Sequence, residues 1–151
     1  MHDDRTAFDV AHSLLDRTGA ALMARDCTAF ANCFHLPHEL ECSQGRRLVR
    51  TDSEMRDHFD EICAYYASIG LTRLVRHVVE ARFRDAGTIV STHETRLLCH
   101  ENQLSQQSYP VLSVLRLASD TWRIAAATYG MDSPLAHVQV FSGSNKPVLD
   151  S

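Results

Sequence analysis

His77 and His93 are the residues of this chain best suited to acid–base chemistry. Imidazole is the side chain whose ordinary pKa lies near physiological pH, so it can give or take a proton unaided. Both histidines fall in stretches where side chains alternate in character, and on the alternate that also carries apolar residues. If a turn at Asp85-Ala86-Gly87 pairs Phe83 with Ile89, then Ala81 meets Ser91, Val79 meets His93, and His77 lies diagonally from His93. Cross-strand diagonals are roughly 7–8 Å apart at the α-carbons, close enough for two imidazoles to share a ligand or a water. The plainer alternative is a pair of half-buried core histidines, each bonded to a carbonyl or to water.

Other groups could join them. Tyr65, Tyr66 and Tyr109 could supply hydroxyls, or simply form amphipathic rims. His35 and His38 beside Glu39 and Glu41 invite a metal reading, but the two histidines flank Pro37 and no third ligand is spaced for it. We expect neither a metal nor a cofactor. No G-x-S-x-G, P-loop, dinucleotide fingerprint or Cys–His nucleophile pattern is present. Cys27, Cys33, Cys42, Cys63 and Cys99 are odd in number and scattered, which reads as free thiols rather than disulfides.

These residues need elements to hold them. Apolar residues at helical spacing predict a long helix over 6–25, weakened in its middle by Gly19. Asp26 is a plausible cap for a short helix over 28–34, with Phe30 and Phe34 on one face and Pro37 ending it. Short strands follow at 39–42 and 47–50, joined by a Gln44-Gly45 turn. Asp52 or Ser53 then starts a third helix carrying Met55, Phe59, Ile62, Cys63 and Tyr66, and Gly70 closes it. Beyond Gly70 the period drops to two, predicting strands over 71–84, 88–100, 108–117 and 121–129, with a possible edge strand at 137–141. A loop at Ser119-Asp120 would pair Leu117 with Trp122, Leu115 with Ile124, Ser113 with Ala126 and Val111 with Thr128. The fold class is therefore α+β: helices packed in the concave face of a curved antiparallel or mixed sheet.

The 151 residues fit one domain, with a core over about 6–141 and a tail at 142–151. A net charge of −4 argues against nucleic acid or an anionic membrane surface as partner; the one basic cluster, Arg46, Arg47 and Arg50, is interrupted by Leu48 and Val49 and reads as a solvated strand or turn. No apolar run spans a bilayer and the first residues do not resemble a secretory signal, so a cytoplasmic location is expected. The outer face of the sheet is unusually apolar: Leu112, Val114, Ala125, Ala127 and Leu98 all point away from the helices in this register. That suggests a second cover, most simply another copy of the chain in a homodimer.

The order helix, short helix, short strands, third helix and four long strands resembles the nuclear transport factor 2-like superfamily, in particular its SnoaL-like members. The residues that carry the resemblance are 29–37 (AFANCFHLP), 51–55 (TDSEM) and 115–124 (LRLASDTWRI). It spans about residues 6 to 141, and it implies a cone in which the sheet curls around the long helix and leaves a pocket. Related ketosteroid isomerases place a carboxylate base on the early short strand, at or beside Cys42 of this chain; Glu39 and Glu41 share the opposite face and would turn inward only if the register slips by one. Their deep acid is also missing, since Ser113, Ala126 and Thr128 occupy the equivalent strands, so that chemistry is not expected.

The leading expectation is a cone that binds a small, largely apolar molecule. Its lining is expected from Phe34, Leu40, Phe59, Tyr66, Val75, Val79, Tyr109, Ser113, Trp122 and Ala126, with His77 and His93 as polar anchors. One alternative is a cofactor-independent isomerase, cyclase or dehydratase acting through the two histidines. Another is a dimeric protein-interaction domain.

Overall fold

A computed structural model describes residues 3–43, 45–104 and 107–130. The proposed strand at 137–141, the tail, and Gln44 of the proposed turn lie outside these residues. Helix α1 (Asp4–Ala24) starts where the Asp3 carboxylate accepts from the Thr6 amide, and it ends at Arg25 in the left-handed region. Helix α2 (Cys27–Ala31) is capped by Asp26, as expected, through a 3.1 Å bond from the Ala29 amide. It stops three residues short of the predicted end, because Phe34 already belongs to strand β1 (Phe34–Cys42). Pro37 thus sits inside a strand rather than ending a helix, at a break in the ladder between Phe34 and Glu39. A proline cannot donate to a ladder, so it falls where the pairing is already irregular.

Strand β2 (Gly45–Val49) follows, then helix α3 (Asp52–Ser68). The cap of α3 is Thr51, whose hydroxyl accepts from the Glu54 amide, one residue ahead of the expected Asp52 or Ser53. Gly70 follows the helix with φ of 66°, a conformation that a side chain disfavours. The remaining strands are β3 (Arg73–Asp85), β4 (Thr88–Leu98), β5 (Tyr109–Ala118) and β6 (Thr121–Tyr129). All six form one sheet in the order β2-β1-β6-β5-β4-β3, antiparallel except for β1 beside β6. The α+β class expected from the sequence holds.

Both predicted hairpins are present, and both slip by one residue partway along. In β3–β4, Phe83 pairs with Ile89 and Ala81 with Ser91, as expected; a bulge between Val78 and Glu80 then brings Val78, not Val79, opposite His93. In β5–β6, Leu117 pairs with Trp122 and Leu115 with Ile124. Beyond a bulge Ser113 faces Ala127 and Val111 faces Tyr129, in place of the expected Ala126 and Thr128. An extra residue on one strand moves every side chain beyond it to the other face.

The core has two centres. One lies under α3 and includes Leu22, Phe30, Leu40, Met55, Phe59, Ile62 and Leu97; the other lies under the first half of α1 and includes Leu14, Ile89, Leu115 and Ile124. Each fully buried side chain of this size contributes roughly 1.5–3 kcal/mol. Helix α1 belongs to both, through Leu14 and Leu15 in one and Ala21 and Leu22 in the other. Where the two centres meet, the packing is open.

Candidate functional site

That opening is a cavity of about 70 Å³ between α1, α3 and the concave face of the sheet. Its apolar wall comes from Leu15, Leu22, Phe30, Phe34, Ile62, Val111, Ile124 and Ala127. Its polar groups are the imidazoles of His38, His58 and His93, the phenols of Tyr66, Tyr109 and Tyr129, the hydroxyls of Thr18, Thr95 and Ser113, and the guanidinium of Arg76. Neither Asp nor Glu lines it among the described residues.

Each polar group is placed by the periodicity of its element. His93 lies on β4, where Ser91, His93, Thr95 and Leu97 all face inward and are buried. His38 shares the inward face of β1 with Leu40 and Cys42, leaving Glu39 to pair with Arg46 at 3.2 Å on the other face. His58 sits in the buried stripe of α3, three residues after Met55 and four before Ile62. Arg76 faces inward because of the β3 bulge. Its Nη2 donates to the Leu15 carbonyl at 2.8 Å and to the Thr18 hydroxyl at 2.7 Å, and Thr18 in turn bonds the Leu14 carbonyl at 2.9 Å. A Cβ at Gly19 would come within 3.1 Å of the same Nη2. The glycine that weakens the middle of α1 therefore leaves room for the guanidinium.

Burial sets the charge state of the site. It holds His93 down to about 3, helped by the nearby charge of Arg76, and His38 down to about 4 against the pull of backbone hydrogen bonds at Ile124 and Ala125. His58 is also pushed well below the usual histidine value by burial, with His38 and Arg47 adding to the shift. Burial raises Tyr66 and Tyr109, and Tyr129 to about 12. Arg76 is lowered by burial, but a guanidinium remains charged at neutral pH. At pH 7 the cavity thus holds neutral imidazoles, protonated phenols and one cation. Nδ1 of His38 and of His58 are buried with no hydrogen-bond partner among the described residues.

Of the residues expected to line a pocket, Phe34, Tyr66, Tyr109, Ser113 and His93 do so. Leu40 and Phe59 are buried in the core beside it rather than exposed to it. His77, Val75 and Val79 are corrected: the β3 bulge turns this part of the strand over, leaving His77 exposed and Val79 56% exposed. His77 and His93 are therefore on opposite faces, and the two-histidine arrangement does not exist. Ala126 is displaced from the inner face by the β6 bulge, which substitutes Ala127 and Tyr129. Trp122 packs edge-on against Phe83 and lines a surface groove beside α1, away from the cavity.

Sequence reasoning missed Arg76, Tyr129, His38 and His58 as lining residues. For His58 a signal existed, because it falls at helical spacing within the apolar stripe of α3. For Arg76 the one hint was Gly19, an unexplained small residue in a helix.

No family model matches the chain, and no curated protein matches it. Solved structures do. A domain of unknown function with a cystatin-like fold from Nostoc punctiforme is 18% identical, with a TM-score of 0.67 over 87% of this chain and 82% of that one. A nuclear transport factor 2-like protein of unknown function from Shewanella oneidensis is 15% identical, with a TM-score of 0.61 over 81% of this chain and 97% of that one. A ketosteroid isomerase-like protein from Erwinia carotovora is 14% identical, with a TM-score of 0.61 over 84% and 97%. At these identities the likeness shows the fold, which is the nuclear transport factor 2-like, cystatin-like α+β cone.

Proposed function

We propose that this chain is a SnoaL-like domain that binds a small, largely apolar molecule within the cone. The observation that supports it is the cavity at the seam of the two core centres, apolar over most of its wall and set with a few converging polar groups. That composition is typical of small-molecule sites. Unpartnered Nδ1 atoms on His38 and His58 support it too, since a buried nitrogen without a partner costs about 1–3 kcal/mol that a ligand or water can recover. Isobutanol is expected to bind, detected by ligand-observed NMR, and Ser113→Leu is expected to fill the cavity and abolish the signal while the fold persists. Equal saturation transfer to the variant would mean that the probe binds elsewhere.

A second reading concerns self-association. Val90, Val114 and Ala126 are neighbours in register on the outer face, and Leu112, 42% exposed, lies two residues along β5 on the same face. Charges of both signs surround them, including Glu80, Glu94, Arg82 and Arg116. A two-fold interface needs such a self-complementary surface, and this favours a homodimer through the outer sheet. Sedimentation equilibrium is expected to give twice the chain mass for the wild type and the chain mass for Leu112→Glu. A monomeric wild type at 100 μM would remove this reading.

A further inference from the structure

We infer that the cone takes a small monocarboxylic acid, bound with its carboxylate on Arg76 and its apolar body against Phe30, Phe34 and Ile62. This rests on the proposal that the cone binds a small molecule, and it names the class.

Arg76 is the starting point. Its guanidinium is half-buried between α1 and the sheet, and among the described residues its Nη2 is tied to protein acceptors, the Leu15 carbonyl and the Thr18 hydroxyl. Both acceptors are neutral. Among the described residues no carboxylate lies within ion-pair distance of Arg76, although Arg46, Arg47 and Arg82 each have one. The acid it feels most is Asp16, which ranks behind the three phenols in its influence. A buried charge without a counter-charge is expensive, and proteins keep one where something else supplies the opposite sign.

The neighbouring groups are suited to an anion. Tyr66, Tyr109 and Tyr129 are close enough to Arg76 for its charge to act on them, and all keep their protons at neutral pH. Phenols can donate to a carboxylate, and a guanidinium presents a planar fork that matches one. His93, neutral and beside Arg76, can donate through one ring nitrogen. A carboxylate-free, donor-rich enclosure carrying one fixed positive charge selects a single negative charge. A phosphate dianion would leave one charge unmatched among Leu15, Leu22 and Ile124. The volume of about 70 Å³, less than half of the roughly 150 Å³ in which benzene is held, limits the apolar body to a short or branched chain.

The test measures affinity of the full chain by calorimetry for propanoate, 2-methylpropanoate and 3-methylbutanoate, each against its own primary amide. At least one acid is expected to bind at least about tenfold more tightly than its amide, the range of a charge-assisted hydrogen bond. Arg76→Gln is expected to erase that preference while leaving the amide within threefold, and Arg76→Lys to retain part of it. Inorganic phosphate is expected not to displace the acid. Should Arg76→Gln not fold, Gly19→Ala serves in its place, because the added Cβ crowds Nη2 while alanine suits the helix; the preference is then expected to fall several-fold. Equal affinity for acid and amide, indifference to both variants, or displacement by phosphate would overturn the carboxylate assignment and leave cone binding standing. If neither acids nor amides bind the wild type while the neutral NMR probe does, the carboxylate assignment falls alone; if that probe fails as well, both proposals fall.

Discussion

Lowering the pH from 6.5 to 4.5 is expected to cost the folded domain about 4 kcal/mol through His38 and His93 alone. In the unfolded chain each imidazole titrates at about 6.5. In the fold the same groups titrate at about 4 and about 3, because protonation would place a charge in the cavity wall. Between those values and 6.5 the unfolded state binds more protons than the native state. Stability therefore rises with pH there, by about 1.4 kcal/mol per unit for each group, and falls on acidification. His58 acts in the same direction, from its own depressed pKa. Since whole domains are stable by only about 5–15 kcal/mol, this loss is a large share of the total. Urea titrations across this range, read by Trp122 fluorescence, are expected to show the slope, and His93→Gln to reduce it by about 1.4 kcal/mol per pH unit. A flat profile would show that these imidazoles are solvated in the native protein.

Phe30→Ala is expected to lower stability by about 4 kcal/mol. The ring is 2% exposed, with centroids 4.6 Å from Phe34 and 5.0 Å from Phe59, so it ties α2 to β1 and α3 at once. It is also a wall of the cavity. The void left by truncation joins the existing space instead of being filled by neighbours, because α2 is held at its start by the Asp26 cap. Loss of tilted aromatic contacts adds to the cost. Phe30→Leu, which keeps most of the volume, is expected to cost about 1.5 kcal/mol or less. Chemical denaturation of the two variants at pH 7.5 checks the difference; equal losses would mean that side-chain volume at this position is not what matters.

Element order, capping at Asp26, the stop at Gly70 and the first half of each hairpin were legible because each has a local cause in residue type. What the sequence did not disclose was where alternation breaks. Val78, Val79 and Glu80 carry no glycine or proline to mark the bulge between them. In β6 the bulge falls at Ala125-Ala126-Ala127, where three small side chains suit either face and the pattern is blank. Those two irregularities decide the chemistry of the candidate site. They exclude His77 and Ala126 and admit Arg76 and Tyr129, so parity read as continuous from Gly70 onward places the site residues on the wrong side. His38 was visible only as part of a weak metal pattern, and its inward orientation follows from sharing a face with Leu40 and Cys42.

The β3 bulge has a consequence for colloidal behaviour as well. Among the described residues β3 is the terminal strand of the sheet, thirteen residues long, and no other described strand pairs along its outer rim. A straight rim of that length is a template onto which another chain can zip, and fibrillar stacking begins that way. The extra residue near Val79 breaks the ladder in the middle of the rim, and Arg73, Arg82 and Arg84 add repulsion between like copies. One misfit in the backbone thus both turns a cation inward and protects the exposed border of the sheet from uncontrolled growth.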